Sequence, residues 1–355
     1  MKLSDDLILQ DDLDKIITAK SIPWEILKNK TVLVTGATGL IGSQIVLSLL
    51  NANAEKNLNL TVLAVIRNIQ KADKLFEYAD KSVLKYIVQD IQKPLEVSDP
   101  VDYIIHGASV TSSKDFVDYP VETIMTAIAG TKNVLELAKA KNIKGMVYLS
   151  SLEVYGVVDF NIDSVNELTF GTIDPMSVRS SYSEGKRMVE CLCASYAKEY
   201  NLPIMVTRLC QTFGAGVNYS DNRVFAQFAR SIIEGKDIVL KTDGSTERNY
   251  CYIRDAIIGI LIVLLKGTSG EAYNIANKNT LITIRGMAEL LIEKYPESGS
   301  KLVFDIAEDI TKLGYNPKVK INLNSDKLEQ LGWSAEVDLT EMFDRLISSM
   351  KSNKN

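Results

Sequence analysis

Histidine occurs once and cysteine four times in 355 residues, and that scarcity removes whole classes of chemistry. With His106 as the single imidazole, a histidine-rich metal site is excluded. Cys191, Cys193, Cys210 and Cys251 form neither a CxxC pair nor a dense disulfide framework, and read as reduced structural thiols. Cys191 and Cys193 stand two apart on an expected helix, where such neighbours do not share a face, so joint metal ligation is disfavoured. A basic excess is missing too. The formal net charge of -5 gives no field for a nucleic-acid backbone or an anionic membrane surface, so neither is expected as a partner. The longest apolar run, residues 256–265, falls far short of the roughly 20 residues that span a bilayer and reads as a buried helix. No basic stretch followed by an apolar core opens the chain, and acidic residues arrive at Asp5 and Asp6, which points to the cytoplasm.

What is present is the material of a large core. Hydrophobic residues make up 46% of the chain and charged residues 24%, enough for one large or two modest domains. Residues 1–29 form an acidic lead-in with a loose helical period in Leu7, Ile8, Leu9, Leu13, Ile16 and Ile17, and with no visible chemistry. From residue 30 onward, expected strands at 31–35, 60–66, 86–88, 103–106, 145–150 and 204–208 alternate with helices at 41–50, 120–140 and 183–199. Such alternation argues for an α/β fold, a doubly wound parallel sheet of Rossmann type over residues 30–208. Beyond Phe213 the pattern loosens, with glycine and polar residues dense from Gly214 to Ser220 and from Asp243 to Thr246. Residues 209–355 are therefore expected to form mainly a smaller, mixed α/β lobe that binds substrate.

The segment Thr35-Gly36-Ala37-Thr38-Gly39-Leu40-Ile41-Gly42 follows an apolar strand and opens a helix, the context that a dinucleotide-binding loop requires. Glycine permits a tight turn and close approach of backbone to a pyrophosphate, and the helix N-terminus supplies N–H donors. Gly36, Gly39, Leu40, Ile41 and Gly42 are the candidate contacts. At the end of the next strand, where an acid often holds the ribose 2′-hydroxyl, the sequence reads Ile66-Arg67-Asn68. Arg67 suits a 2′-phosphate, which favours NADP, or stands solvated beside the adenosine of NAD; both readings remain open.

Tyr182 and Lys186 are four apart on an expected helix and share a face. A free phenol has a pKa of about 10, and a nearby ammonium favours the phenolate, so the pair suits removal of a hydroxyl proton near neutral pH. Ser151 ends the fifth strand, at the carboxyl edge where parallel sheets bind ligands.

In combination these motifs resemble the extended short-chain dehydrogenases/reductases, and within them the nucleotide-sugar epimerase, dehydratase and decarboxylase branch. The resemblance runs from about Thr31 to Asn277 and rests on the GxxGxxG turn, on Ser150-Ser151-Leu152-Glu153-Val154-Tyr155-Gly156 and on Arg179-Ser180-Ser181-Tyr182-Ser183-Glu184-Gly185-Lys186-Arg187. It implies that Ser151, Tyr182 and Lys186 act on one substrate oxygen, that Lys186 also holds the nicotinamide ribose, and that Asp90 and Ile91 meet the adenine. It further implies that Gly107, Ala108 and Ser109 line the nicotinamide side, and that the chain works as a homodimer through the helices at about 120–140 and 183–199. Sugar 4,6-dehydratases carry an Asp-Glu pair where this chain has Leu152-Glu153, and leucine cannot donate a proton. Glu153 remains, as in enzymes similar to UDP-glucuronate decarboxylase. Gln211 replaces the asparagine that helps hold the diphosphate, while Arg223 and Arg248 match positions that present guanidinium groups to the nucleotide. Ala127 stands where the family usually has asparagine.

The leading expectation is thus an NAD(P)-dependent enzyme that oxidises a nucleoside-diphosphate sugar to a 4-keto intermediate, with epimerisation or decarboxylation favoured and cofactor regenerated. The alternatives are an NADP-dependent carbonyl reductase or alditol dehydrogenase, a nucleotide-sugar 4,6-dehydratase, and a non-catalytic cofactor-sensing protein on the same fold.

Overall fold

A computed structural model describes residues 1–306 and 318–353. After an N-terminal helix, α1 (Leu7–Thr18), the chain alternates strand and helix: β1 (Thr31–Thr35), α2 (Leu40–Lys56), β2 (Thr61–Ile66), α3 (Ile69–Leu75), β3 (Leu84–Val88), β4 (Tyr103–His106), α4 (Asp115–Asp118), α5 (Pro120–Lys141), β5 (Gly145–Ser151), α6 (Ser181–Tyr200) and β6 (Ile204–Leu209). The remainder contributes β7 (Gln211–Phe213), α7 (Val224–Glu234), β8 (Ile238–Leu240), β9 (Glu247–Arg248), β10 (Tyr250–Tyr252), α8 (Ile253–Lys266), β11 (Ala272–Ile275), α9 (Ile284–Lys294), α10 (Asp326–Glu329) and α11 (Leu339–Ser352), with further short strands.

Seven strands pair in parallel in the order β11-β6-β5-β4-β1-β2-β3. All five residues of β1 are buried, as a central strand covered on both faces requires. Its side chains alternate between two cores: Val32 and Val34 join the larger cluster, and Leu33 joins the cluster built with α5 and α6. The order reverses between β1 and β4, which opens a crevice beyond their carboxyl ends. β11, from the chain's later part, supplies the seventh strand beside β6. The rest of that part forms a lobe with two- and three-stranded sheets, among them the parallel pair β7–β10.

Element bounds differ from the sequence expectation mainly at helix ends. α2 runs through Asn51, Ala52 and Asn53 to Lys56 and stops where Asn57 turns left-handed (φ 52°). The apolar run 256–265 lies inside α8, whose residues from Ile253 to Leu264 are buried. α5 and α6 pack side by side, and a Cβ placed on Gly185 lies 3.5 Å from the Ala127 Cβ, so the small residue at 127 permits the close approach. Among the described residues no helix is long and apolar enough to cross a membrane.

α1, from the acidic lead-in, docks against α2, α8 and α11. Asp6 caps it, accepting from the amides of Ile8 and Leu9. Asp12, fully buried, accepts from the Tyr252 hydroxyl at 2.6 Å and from Arg345 Nη2 at 2.7 Å.

Candidate active site

The turns that follow β1 and β4 meet at the crevice. Gly36 has φ +69°, and a Cβ added there would stand 2.7 Å from the Gly107 carbonyl carbon; at Gly42 it would stand 2.1 Å from the Gly36 oxygen. Only glycine lets backbone approach backbone so closely. α2 starts at Gly39 with no side chain capping its first amides, so Leu40, Ile41 and Gly42 present the open helix terminus that the sequence predicts. Gly107, Ala108 and Ser109 line the facing turn, half-buried. The Ala108 amide donates to Thr35 Oγ1 at 3.2 Å, and the same hydroxyl lies 2.6 Å from His106 Nδ1. The His106 ring is thus held between two hydroxyls, Nδ1 at Thr35 and Nε2 2.9 Å from Thr131 Oγ1. Burial, aided by the charge of Lys186, lowers the His106 pKa to about 3 and keeps the ring neutral. Ile91 is buried against α5, where a Cβ on Gly130 would touch it, and Asp90 accepts from the Gln92 amide. Arg67 lies exposed at the end of β2, next to Asn68, which caps α3.

One strand further along the sheet, the end of β5 meets the start of α6. Ser151 stands near the Tyr182 phenol and favours its ionised form. Lys186 is buried one helical turn on, its Nζ donating to the Leu149 carbonyl at 2.7 Å and lying 5.7 Å from the Tyr182 ring centre. Desolvation lowers the Lys186 pKa to about 7, with the Glu190 carboxylate pulling upward. Tyr182 goes the other way: burial and the negative charge of Glu153 push its phenol well above the ordinary value, against the Ser151 hydroxyl and the charges of Arg179 and Arg223.

The single 3₁₀ turn Leu152–Tyr155 follows Ser151, whose hydroxyl caps it by accepting from the Glu153 amide. That turn sends its first two side chains apart. Leu152, 2% exposed, joins the hydrophobic core, while Glu153 faces α6. Arg179 grips Glu153 through two parallel bonds of 2.8 and 2.9 Å, and Ser183 Oγ donates to the same carboxylate at 3.0 Å. Phe116 of α4 stacks on Tyr182 with ring centres 4.3 Å apart. Arg179, Ser183 and Phe116 carry no role in the sequence reading. The local signal was an arginine three residues before the tyrosine, whereas Phe116 sits in a segment without periodicity.

The substrate-end candidates lie on the C-terminal lobe. Gln211 of β7 pairs with Tyr250 of β10, and Arg248 precedes it on β9. Arg248 Nε and the Tyr250 hydroxyl are buried with no hydrogen-bond partner among the described residues. Arg223, just before α7, is forked onto Asp221, and its charge reaches Tyr182. The charge of Arg223 is thus felt at the tyrosine, while Gln211 and Arg248 lie on the short strands β7 and β9.

A family model for the NAD dependent epimerase/dehydratase family matches residues 32–276. The chain belongs to this family. UDP-glucuronic acid decarboxylase 6 of Arabidopsis thaliana is 30% identical over 313 residues, 85% of this chain and 88% of its own length. Among solved structures, UDP-glucose 4-epimerase of Thermotoga maritima superposes with a TM-score of 0.76 at 21% identity, covering 92% of this chain and 100% of that one. UDP-glucuronic acid 4-epimerase of Bacillus cereus, solved with NAD, gives 0.73 at 23% identity and the same coverage. At such identities the likeness to the two structures is one of fold.

The family's dinucleotide fits the crevice on the geometry above. The glycine contacts leave backbone rather than side chains around the uncapped start of α2, a cradle that any Cβ at Gly36 or Gly42 would fill. Lys186 lies within reach of the same crevice, behind the Gly107 turn that packs on Leu149.

Proposed function

We propose that this protein is an NAD-dependent nucleotide-sugar enzyme that works through a 4-keto intermediate and ends in decarboxylation or epimerisation. One observation carries the reading: Ser151, Tyr182 and Lys186 converge beside Glu153, while Leu152 is turned into the core. NAD, when bound, supplies a reversible hydride acceptor. The chain supplies the proton chemistry. Tyr182 takes the proton of the sugar C4 hydroxyl, Ser151 hydrogen-bonds the same oxygen, and Lys186, with a pKa near 7, provides a charge that favours the phenolate. Gln211, Arg223 and Arg248 hold the diphosphate, the unpartnered Arg248 Nε being the donor best placed for it. Glu153 serves the step after oxidation.

Elimination of a sugar hydroxyl needs an acid near the leaving oxygen, help worth roughly a hundred- to ten-thousand-fold in rate. Leu152 offers none, and its burial keeps even its position out of the cleft. The test is incubation with a panel of nucleotide sugars, UDP-glucuronate first because the relative's name points there, with mass and NMR analysis of the product. Loss of carbon dioxide or an inverted C4 supports the reading. Efficient formation of a 4-keto-6-deoxy sugar from a hexose substrate overturns it. We also propose a homodimer through α5 and α6, supported by the apolar side chains these helices expose.

A further inference from the structure

Glu153 and Arg179 are the most enclosed ion pair at the site, their side chains 10% and 12% exposed. Their places in the chain give the pair its meaning. Glu153 stands two residues after Ser151, and Arg179 three residues before Tyr182, so the fork ties the turn that ends β5 to the turn that opens α6. The same guanidinium lies 4.9 Å from the centre of the Phe116 ring, which also stacks on Tyr182, and the Phe116 carbonyl accepts from Ser181 Oγ at 2.9 Å. A circuit thus runs from Glu153 through Arg179 and Phe116 to Tyr182, whose phenol feels the Glu153 charge in turn.

A carboxylate set beside a phenol opposes formation of the phenolate, because two negative charges would share one poorly solvated space. Arg179 answers that charge at hydrogen-bond distance. Both Glu153 oxygens are occupied by the fork, and one also by Ser183, so the carboxylate is fixed in place as well as balanced. We propose that Arg179 is a positioning residue for the reaction: it holds Glu153 as a charge-balanced carboxylate beside the Ser151–Tyr182 couple, so that Glu153 does not oppose proton removal by Tyr182. The proposal rests on the reading of Tyr182 as the proton-transfer group.

The groups that face Tyr182 define what a titration would report. Tyr148 and Ser151 come from β5, Glu153 from the following turn, Arg179 from the turn before α6, and Lys186 from α6 itself; Arg223, paired with Asp221, reaches it from the segment before α7. Phe116 contributes an uncharged ring. Glu153 and Arg179 are locked to one another, so removing Arg179 strips the carboxylate of its fork, and removing Glu153 takes a negative charge away from the phenol.

That gives a test with a sign. Arg179→Gln removes the fork that balances the carboxylate and should move the Tyr182 titration to higher pH; Glu153→Gln removes the anion that opposes the phenolate and should move it to lower pH, each by roughly one pH unit. The double variant should return close to the wild-type value. Arg179→Lys keeps the charge, loses the fork, and should restore the titration but not the full rate; Arg179→Met replaces Arg179→Gln if that variant does not fold. Two readouts are used on the full-length NAD complex: the pH profile of product formation from a nucleotide sugar, and isotope-labelled tyrosine NMR with Tyr182 assigned by its Tyr182→Phe variant. Single variants that shift in the same direction, or not at all, overturn the proposal and make the pair a simple staple. A wild-type protein that converts no nucleotide sugar to product sinks the functional reading instead, and the NMR titration still decides the role of Arg179.

Discussion

Removing one oxygen from Tyr182 separates its packing from its chemistry. Tyr182→Phe keeps the ring that stacks on Phe116 at 4.3 Å and loses only the phenol oxygen near Ser151. Fold and NAD affinity should survive, seen by circular dichroism and calorimetry, while turnover falls by roughly a hundred- to ten-thousand-fold. Near wild-type turnover would refute the assigned role. Lys186→Ala is expected to behave differently, because one ammonium is assigned both the tyrosine and the cofactor ribose: turnover and NAD affinity should fall together. Unchanged affinity in calorimetry would separate the two jobs. At this scale the sequence was informative where spacing is local. The i, i+4 tyrosine and lysine share a helix, and the glycines of the turn follow a strand, so neither needs long-range knowledge. Arg179 and Glu153 are 26 residues apart and meet only because β5 and α6 are neighbours in space. No pattern along the chain announces such a pair, and the opposite fates of Leu152 and Glu153 depend on a 3₁₀ turn that periodicity cannot register.

Among the elements, α1 is the one whose purpose lay outside the sequence pattern. Its helical period was legible, but the partners of Asp12 are Tyr252 and Arg345, far along the chain. Asp12 accepts from both and lies 3.8 Å from Arg254 as well, so α1 ties the start of the chain to β10, α8 and α11. The same Tyr252 ring closes on Gly214, at the end of the strand that carries Gln211. Burial raises the Asp12 pKa to about 6, the desolvation of a wholly enclosed carboxyl outweighing its arginines, whereas Arg345, partly exposed, is simply held in its charged form. A carboxyl whose folded value exceeds its unfolded one binds more protons in the native state between the two. Its contribution to stability is full below about 4 and lost as pH rises through about 6. Asp12→Asn removes that titration and keeps a side chain able to hydrogen-bond Tyr252. Urea unfolding at pH 4.5 and 7 should show the wild type losing more stability across that interval than Asp12→Asn does. Equal losses would mean that Asp12 ionises as freely folded as unfolded.

For the whole molecule, alternation of strand and helix was enough to foresee the doubly wound sheet, because a parallel strand buried on both faces leaves an unbroken apolar run. It was not enough to place β11, which joins that sheet from beyond the substrate-binding segments, since strand order is a property of packing. Assembly is a matter of the same kind. α5 and α6 cover one face of the sheet, yet their outer surfaces expose Val121 at 70%, Met125 at 45% and Met188 at 55%. Single exposed aliphatic residues are ordinary, and these three, on two adjacent helices, are what the proposed homodimer would cover. A second copy presenting the same helices about a twofold axis would cover them, since such a contact is self-complementary. Light scattering should therefore report about twice the 39.4 kDa chain mass at working concentration. Val121→Glu combined with Met188→Asp should halve it, because charges would face charges across the axis. NAD affinity should stay unchanged in that variant, as the cradle lies in the crevice between β1 and β4, away from the outer surfaces of these helices. A wild-type monomer in that measurement contradicts the homodimer, and a double variant that stays dimeric moves the interface to another face.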